Sequence, residues 1–370
     1  MQRIAVLLFS LFFVSATFGA ESVVVKVRIQ SMRSLKISGS NIRFVGIDSK
    51  VRPVAVTRSH EVLVKRVRIA GQSYWQISQA KGLSKNILSS QEVLLVQGDH
   101  LRHEATQFPN KLIIREGARQ NLDVIGVVPL EEYVLAVLVN EMPLSWPMET
   151  LKAQAVAIRS YTLAVLQERH LKFFHVESSV LDQVYKKVHN LKPELLRKAQ
   201  TAVEETRGIN LLNLKSRPLK AFYHSDCGGN TVSASSVWGN ETDSDVGTAS
   251  DDFCAGNPRS RWSLTLTQQK FAGLLKSFTG EIRSNEFRKL VGFMDLKSTR
   301  FEIQEDLNLA KVTLVGRGFG HGVGMCQWGS KSLGLRGFTY QGILKHYYPM
   351  ASLTGTTRVT RVASQVQIEN

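Results

Sequence analysis

At 370 residues, with 43% hydrophobic and 21% charged content, the chain is of ordinary soluble globular composition and fills one large domain or two smaller ones. Its formal net charge of +16 favours polyanionic partners such as wall polymers or anionic lipid surfaces. The basic residues are scattered rather than clustered with aromatics, which argues against nucleic acid.

Residues 1–20 open with Gln2-Arg3, continue through an apolar run at 4–13 and end in small residues up to Ala20. This pattern predicts a secretory signal peptide cleaved near Ala20, hence an exported protein of the periplasm, cell envelope or extracellular space. The run is short for a membrane span, and no later stretch is apolar enough to supply one. Residues 21–105 read as a β-rich region, with β-branched or alternating runs at 23–29, 41–46, 61–69, 74–77 and 92–97 separated by turn residues. Residues 106–350 follow as a second region, and 351–370 read as a tail.

The stretch at 127–162 organises the chain. Pro129 followed by Leu-Glu-Glu predicts a helix start, because proline suits the first helical position and acids suit the positive end of the dipole. Leu130, Val134, Val137 and Leu138 form its apolar stripe, and one more step lands on Glu141, where a hydrophobe is expected. An acid on that stripe, followed by Pro143 and Pro147, points into a core or a cleft. Burial raises its pKa, as a general acid near neutral pH requires. The structural alternative is a buried ion pair with Arg159 or Lys152. Glu132 and Glu149 are rival acids, but each opens a helix and has a dipole-compensating reason to be there.

A second helix is expected over 148–167, thin along Ala153, Ala155 and Ala157, with Gln154, Arg159 and Tyr161 as its polar or amphipathic members. A loop or short strand at 181–185 and a third helix at 193–207, ending at Gly208, follow. Residues 219–229 read as a strand running into a glycine turn that presents His224, Ser225, Asp226 and Cys227. The alternating glycines of VGRGFGHGVGMCQWG, at 315–329, suggest a sharp turn or a close approach to a ligand. That run has neither the phosphate-loop nor the dinucleotide spacing. A short helix is expected at 340–348. Of Cys227, Cys254 and Cys326, the first two are favoured as a disulfide over zinc, because the local sequence supplies only half of a four-ligand site. No cofactor or metal is expected.

EEYVLAVLVNEMPLSWPMETLKAQAVAIRSYT, DQVY (182–185), YHSDCGGNT (223–231), VW (237–238), GRGFGHGVGMCQWG (316–329) and ILKHYYP (343–349) resemble, in order, the motifs of the SpoIID/LytB family. This family contains the sporulation stage II protein D and amidase-enhancer group. The resemblance covers roughly 105–350; short strands, three or four helices and no regular βαβ alternation argue for an α+β fold, with the β-rich region at its N-terminal side, rather than a doubly wound sheet. The resemblance implies a lytic transglycosylase acting on peptidoglycan glycan strands, particularly strands stripped of stem peptides. The family's catalytic acid carries over to Glu141. Gln154, Arg159, Tyr161, Gln183, Tyr185, His224, Ser225, His321 and Gln327 are candidates for binding substrate, chosen by residue type and motif membership. A cell-wall amidase is a further partner to expect, and the alternative function is a non-catalytic glycan binder that enhances an N-acetylmuramoyl-L-alanine amidase. Cys326 stands where the family motif more usually has a small residue.

Overall fold

The computed structural model describes residues 23–46, 54–55, 61–79, 87–89, 93–180, 182–239, 247–276, 284–306 and 308–354. The expected leader at 1–20 and residues 355–370 of the expected tail lie outside the described residues. The chain is α+β. One large sheet runs, from edge to edge, through Val176–Glu177, Val24–Met32, Leu122–Pro129, Lys111–Glu116, Val93–His103, Ser34–Gly46, Glu61–Ile69, Gln72–Gln79 and Ile87–Ser89. Every pairing along this path is antiparallel except that of Val176–Glu177 with Val24–Met32.

The register follows from alternation. Val62 and Val64, Leu112 and Ile114, and Leu35 and Ile37 all fall on one face, where they meet Trp75, Val96, Leu101 and Phe108 in a dry core. The sheet crosses residue 105 without a break, because Val24–Met32 pairs with Leu122–Pro129.

The strand Leu122–Pro129 hands the chain directly to helix α1 (Leu130–Glu141). Pro129 is the extended residue ahead of the helix rather than its first helical residue, and the Leu130 N–H bonds to the Val23 carbonyl. Helix α2 (Met148–Glu168) is the centre of the molecule and is buried from Thr150 to Val165 apart from Lys152. A helix covered on all sides needs apolar or satisfied residues around its whole circumference. Leu151, Ala155, Ile158 and Val165 face α1 and helix α3 (Pro193–Glu204). Ala153, Val156 and Ala157 face a second core built from Leu219, Ala221, Val323, Met325, Ile343 and Tyr347. The alanines noted in the sequence let that second core approach closely.

In the C-terminal half, a short parallel pair joins Tyr223–His224 to Met325–Cys326. Between them lies a three-stranded antiparallel sheet in the order Arg261–Thr267, Lys311–Arg317, Phe301–Asp306, packed on its own core of Trp262, Phe271, Phe287 and Leu314. The glycine-rich run is therefore not one connector. It leaves a strand, crosses a tight bend and enters the helix Gln327–Leu335. Ser352–Thr354, within the expected tail, pairs antiparallel with Asn210–Leu212. No helix of the described residues is long and apolar enough to cross a membrane.

Candidate active site

Glu141 is the last residue of α1 and is half-buried, with Leu130, Val134, Val137 and Leu138 of its stripe in the core behind it. Its Oε1 accepts a hydrogen bond from the Val184 N–H at 2.9 Å. Burial pushes its pKa above the ordinary carboxylate value, and that one N–H only partly offsets the shift. The negative end of the helix dipole also disfavours a carboxylate at this position.

The ion pair that would have given Glu141 a structural reason is absent among the described residues. Arg159 is 1% exposed and turns instead to Glu131, with Nε and Nη2 2.9 and 2.7 Å from its two carboxylate oxygens, and to the Ile209 carbonyl at 3.0 Å. Lys152 pairs with Glu149 and Glu205 at 2.8 and 2.7 Å. Of the rival acids, Glu132 is exposed. Glu149 is pushed up by burial but held below the usual carboxylate value by Lys152 and the Tyr340 N–H.

Four elements close around Glu141. The first is the segment 182–187, which is anchored by Asp182. That carboxylate accepts from Arg169 at 2.8 and 3.1 Å, from the Tyr161 hydroxyl at 2.9 Å and from the Glu177 N–H at 2.9 Å. Two residues on, Val184 reaches Glu141, and Asn140 donates to the Lys186 carbonyl at 3.0 Å. Tyr185 stacks on Tyr133 of α1, with ring centroids 5.5 Å apart and planes 4° from parallel.

The second element is α2, which contributes Gln154. The third is the start of the helix Gln327–Leu335. Gln327 Nε2 lies 3.3 Å from the Glu141 carbonyl and 3.5 Å from Gln154 Oε1. The fourth is the strand Tyr223–His224. Burial, and then the charge of Glu141, push the Tyr223 phenol well above its usual range; burial does the same to Tyr133, with Asp182, Tyr161 and Glu141 adding to it. Glu141 thus lies among neutral phenols and amides.

This polar cluster is not self-satisfied. Gln183 Oε1 accepts from Tyr133 and Thr162 at 3.1 and 3.0 Å, but its Nε2, the Nε2 of Gln154 and the Tyr223 hydroxyl are buried with no hydrogen-bond partner. Buried donors ordinarily find acceptors, so unpartnered donors beside a raised carboxyl mark a place where a polar ligand can supply them.

His224 and His321 form a second group, with rings 5.5 Å apart and flanked by Phe222 and Trp238. His224 donates from Nδ1 to the Val323 carbonyl at 3.1 Å, and His321 Nδ1 accepts from the Val323 N–H at 3.0 Å. Burial lowers His224 to about 4, and burial, then the neighbouring His224, holds His321 well below its usual value. Both rings are neutral near pH 7. The loop approaches this closely because Gly320 (φ +123°) and Gly324 (φ +70°) have no side chain. A Cβ at Gly320 would stand 2.6 Å from His224 Cβ, and one at Gly324 would stand 2.0 Å from the Phe222 carbonyl oxygen.

Among the residues singled out from the sequence, the structure brings Glu141, Gln154, Gln183, Tyr185 and Gln327 together. Tyr161 holds Asp182 and packs on Phe222, with centroids 5.6 Å apart, and Ser225 offers its backbone carbonyl to the Trp328 N–H at 3.1 Å. Arg159 belongs elsewhere: buried and saturated by Glu131, it has no free donor face for a substrate. Residue type had suggested neither Tyr133 nor Tyr223, although both lie in the matched motifs. It also missed the Trp146–Trp328 pair, with centroids 5.3 Å apart, over which the Lys331 ammonium sits 4.4 Å from the Trp328 ring. Cys227 and Cys254, expected to be bonded, are free thiols with Sγ atoms 3.6 Å apart. They share their surroundings with Cys326 and Asp226, which the local sequence did not place there.

Residues 118–212 match the family model described as stage II sporulation protein. That span holds Glu141 and the segment laid against it. The chain is 28% identical over 257 residues to stage II sporulation protein D of Bacillus subtilis strain 168, covering 60% of this chain and 73% of that protein. It is 29% identical over 265 residues to an uncharacterised protein of Brachyspira hyodysenteriae, covering 64% of this chain and 70% of the other. With the amidase enhancer of Bacillus subtilis it shares 26% identity over 297 residues, 59% of this chain but 40% of that protein. With its motifs in order and relatives on both sides of the group, the chain is similar to the SpoIID/LytB family, and residues 118–212 carry the matched SpoIID segment.

Proposed function

We propose that the protein is an exported lytic transglycosylase that cleaves peptidoglycan glycan strands, preferentially strands stripped of stem peptides. The observation that supports this reading is the state of Glu141: a half-buried carboxyl at a helix C-terminus, raised by burial, with one backbone N–H and no cation. Such a group holds its proton at higher pH than an ordinary carboxyl and can give it to a leaving oxygen.

Hydrolytic glycosidases generally use two carboxylates, one of them to activate water or to attack the sugar. Of the other acids near it, Glu131 is committed to Arg159, Glu149 to Lys152 and Asp182 to Arg169, and Glu132 is exposed near Tyr185. A single acid suffices when the nucleophile belongs to the substrate. Glu141 protonates the glycosidic oxygen, the C1–O bond breaks, and positive charge develops at C1. The C6 hydroxyl then bonds to C1 and its proton returns to the Glu141 carboxylate, leaving a 1,6-anhydro-muramyl end and a protonated acid. Gln154, Gln183 and Tyr223 supply the unpartnered polar groups for sugar hydroxyls. Half-buried Trp328, packed edge-on against the buried Trp146, adds an aromatic surface next to Gln327.

The test is mass spectrometry of soluble products from amidase-treated and untreated peptidoglycan, with Glu141→Gln alongside. Anhydro ends from the wild type alone, mainly from stripped strands, are expected. Reducing ends, or equal release by the variant, would overturn the reading. Glycan binding without products would favour the second reading, an enhancer of a cell-wall amidase, which the similarity to the Bacillus subtilis amidase enhancer supports.

A further inference from the structure

Three cysteines and one aspartate from distant parts of the chain converge behind the strand Tyr223–His224. The Sγ atoms of Cys227, Cys254 and Cys326 and a carboxylate oxygen of Asp226 all lie within 4.8 Å of one another, and all four residues are buried. We propose that this cluster is a structural metal site that takes one zinc ion through three thiolates and a carboxylate.

The spacing supports coordination rather than a disulfide. A disulfide needs its sulfurs about 2.05 Å apart. Two thiolates on one tetrahedral zinc, each about 2.3 Å from the metal, stand roughly 3.8 Å apart. Cys227 and Cys254 are separated by 3.6 Å. Cys326 completes the set, which a simple disulfide would leave without a role. Soft sulfur ligands in a four-donor, closed arrangement select zinc over magnesium or calcium, whose sites are built from oxygen.

The surroundings match what a buried, anionic metal site requires. Backbone N–H groups of Cys227 and Gly329 both point at Cys326 Sγ from 3.4 Å. Cys326 is also the N-cap of the helix Gln327–Leu335, so the positive end of that helix faces the sulfur. Asp226 is oriented by the Gly228 N–H at 2.7 Å and by the Asn257 amide. Asp251 receives Cys227 Sγ at 3.2 Å and the Tyr347 hydroxyl at 2.9 Å, and orients the site from behind. A hollow of about 400 Å³, lined in part by Asp226, Cys227, Thr231, Ser298 and Thr299, gives an ion a way in. Binding would release the thiol protons to solvent, so affinity falls as pH falls.

Such an ion would tie together the turn after His224, the short helix Asp252–Gly256 and the residue immediately before Gln327. It would brace the back of the site without touching the reacting atoms. This inference is independent of the role proposed for Glu141.

The test uses the full chain purified under reducing conditions. Metal content of the isolated protein is measured first. The chelated protein is then titrated with cobalt(II) alone, and zinc is used to displace it. One metal per chain is expected, with the intense visible bands of tetrahedral cobalt and a sulfur-to-metal charge-transfer band. In Cys326→Ser, binding weakened at least about tenfold is expected. Should that variant fail to fold, the wild type still decides: three thiols that react in the apo protein become protected with metal bound. A Cys227–Cys254 disulfide in metal-free protein isolated without reductant would overturn the proposal. So would a pale octahedral cobalt spectrum, or no cobalt binding at all.

Discussion

The two ends of α1 each place a glutamate against α2 or its neighbours, and the two are treated in opposite ways. Glu131, in the first turn, enjoys the positive end of the dipole and a two-pronged guanidinium from Arg159. Glu141, ten residues on, stands at the negative end with one amide donor. The same residue type on the same helix is paired with a cation at one end and, at the other, left with one amide donor and a pKa raised by burial. On the proposed function, what separates the structural carboxylate from the acid is position along the dipole and access to a cation, not the identity of the side chain.

The sharpest way to break this contrast is Glu141→Gln. The substitution keeps the shape and the hydrogen bond's reach but removes the proton donor. Turnover is expected to fall by roughly 10²–10⁴-fold or more, with circular dichroism unchanged. A loss of turnover accompanied by unfolding would mean that Glu141, too, is structural.

Arg159→Leu attacks the other end. Removing one partner of a buried pair leaves Glu131 stranded and costs about 3–5 kcal/mol in urea denaturation. Adding Glu131→Gln should recover much of that loss. If Arg159→Leu were instead stable and impaired only in substrate binding, Arg159 would belong to the cleft after all.

Gln327→Leu is a milder probe. It withdraws the donor from the Glu141 carbonyl, and a loss of about 0.5–1.5 kcal/mol is expected. Catalysis should decline beyond what that stability change explains.

The smallest effect is a tilt with pH. Because burial raises the folded pKa of Glu141 above the ordinary carboxylate value, the folded state holds this proton over a window where the unfolded chain has lost it. Stability from this group is present below that window and is lost as pH rises through the folded pKa. The melting temperature of Glu141→Gln relative to wild type should therefore climb across the window and level off above it. The rate of the wild type should fall through the same raised pKa.

Much of this was legible from sequence where a single element explains itself. The apolar stripe of α1 predicted both the buried face and the anomaly of Glu141. The alternating runs 61–69 and 74–77 predicted strands, and Gln72–Gln79 extends the second. Legibility failed where residues met across the chain. Sequence alone sets Arg159 either against Glu141 or against substrate, because nothing local says that Glu131, 28 residues earlier, will occupy it. Tyr133 carries no local signal of its own; only Tyr185 and Glu141, folded near it, make it part of a site. The glycine run suggests a sharp turn or a close approach to a ligand; what it approaches within the chain, the His224 strand, lies about a hundred residues away.

That distance has a kinetic consequence. The pair Tyr223–His224 with Met325–Cys326 closes a loop of about a hundred residues through two residues of ladder, so it recovers little energy until the helices on either side have docked. Long-range, low-reward closures form late in folding. Glu141 and the segment 182–187 can assemble early from neighbouring sequence, whereas Gln327 arrives only with the final closure. Refolding followed by tryptophan fluorescence should therefore run ahead of recovered turnover. On the proposed function, a nascent chain would hold its acid in place well before the rest of the site closed around it.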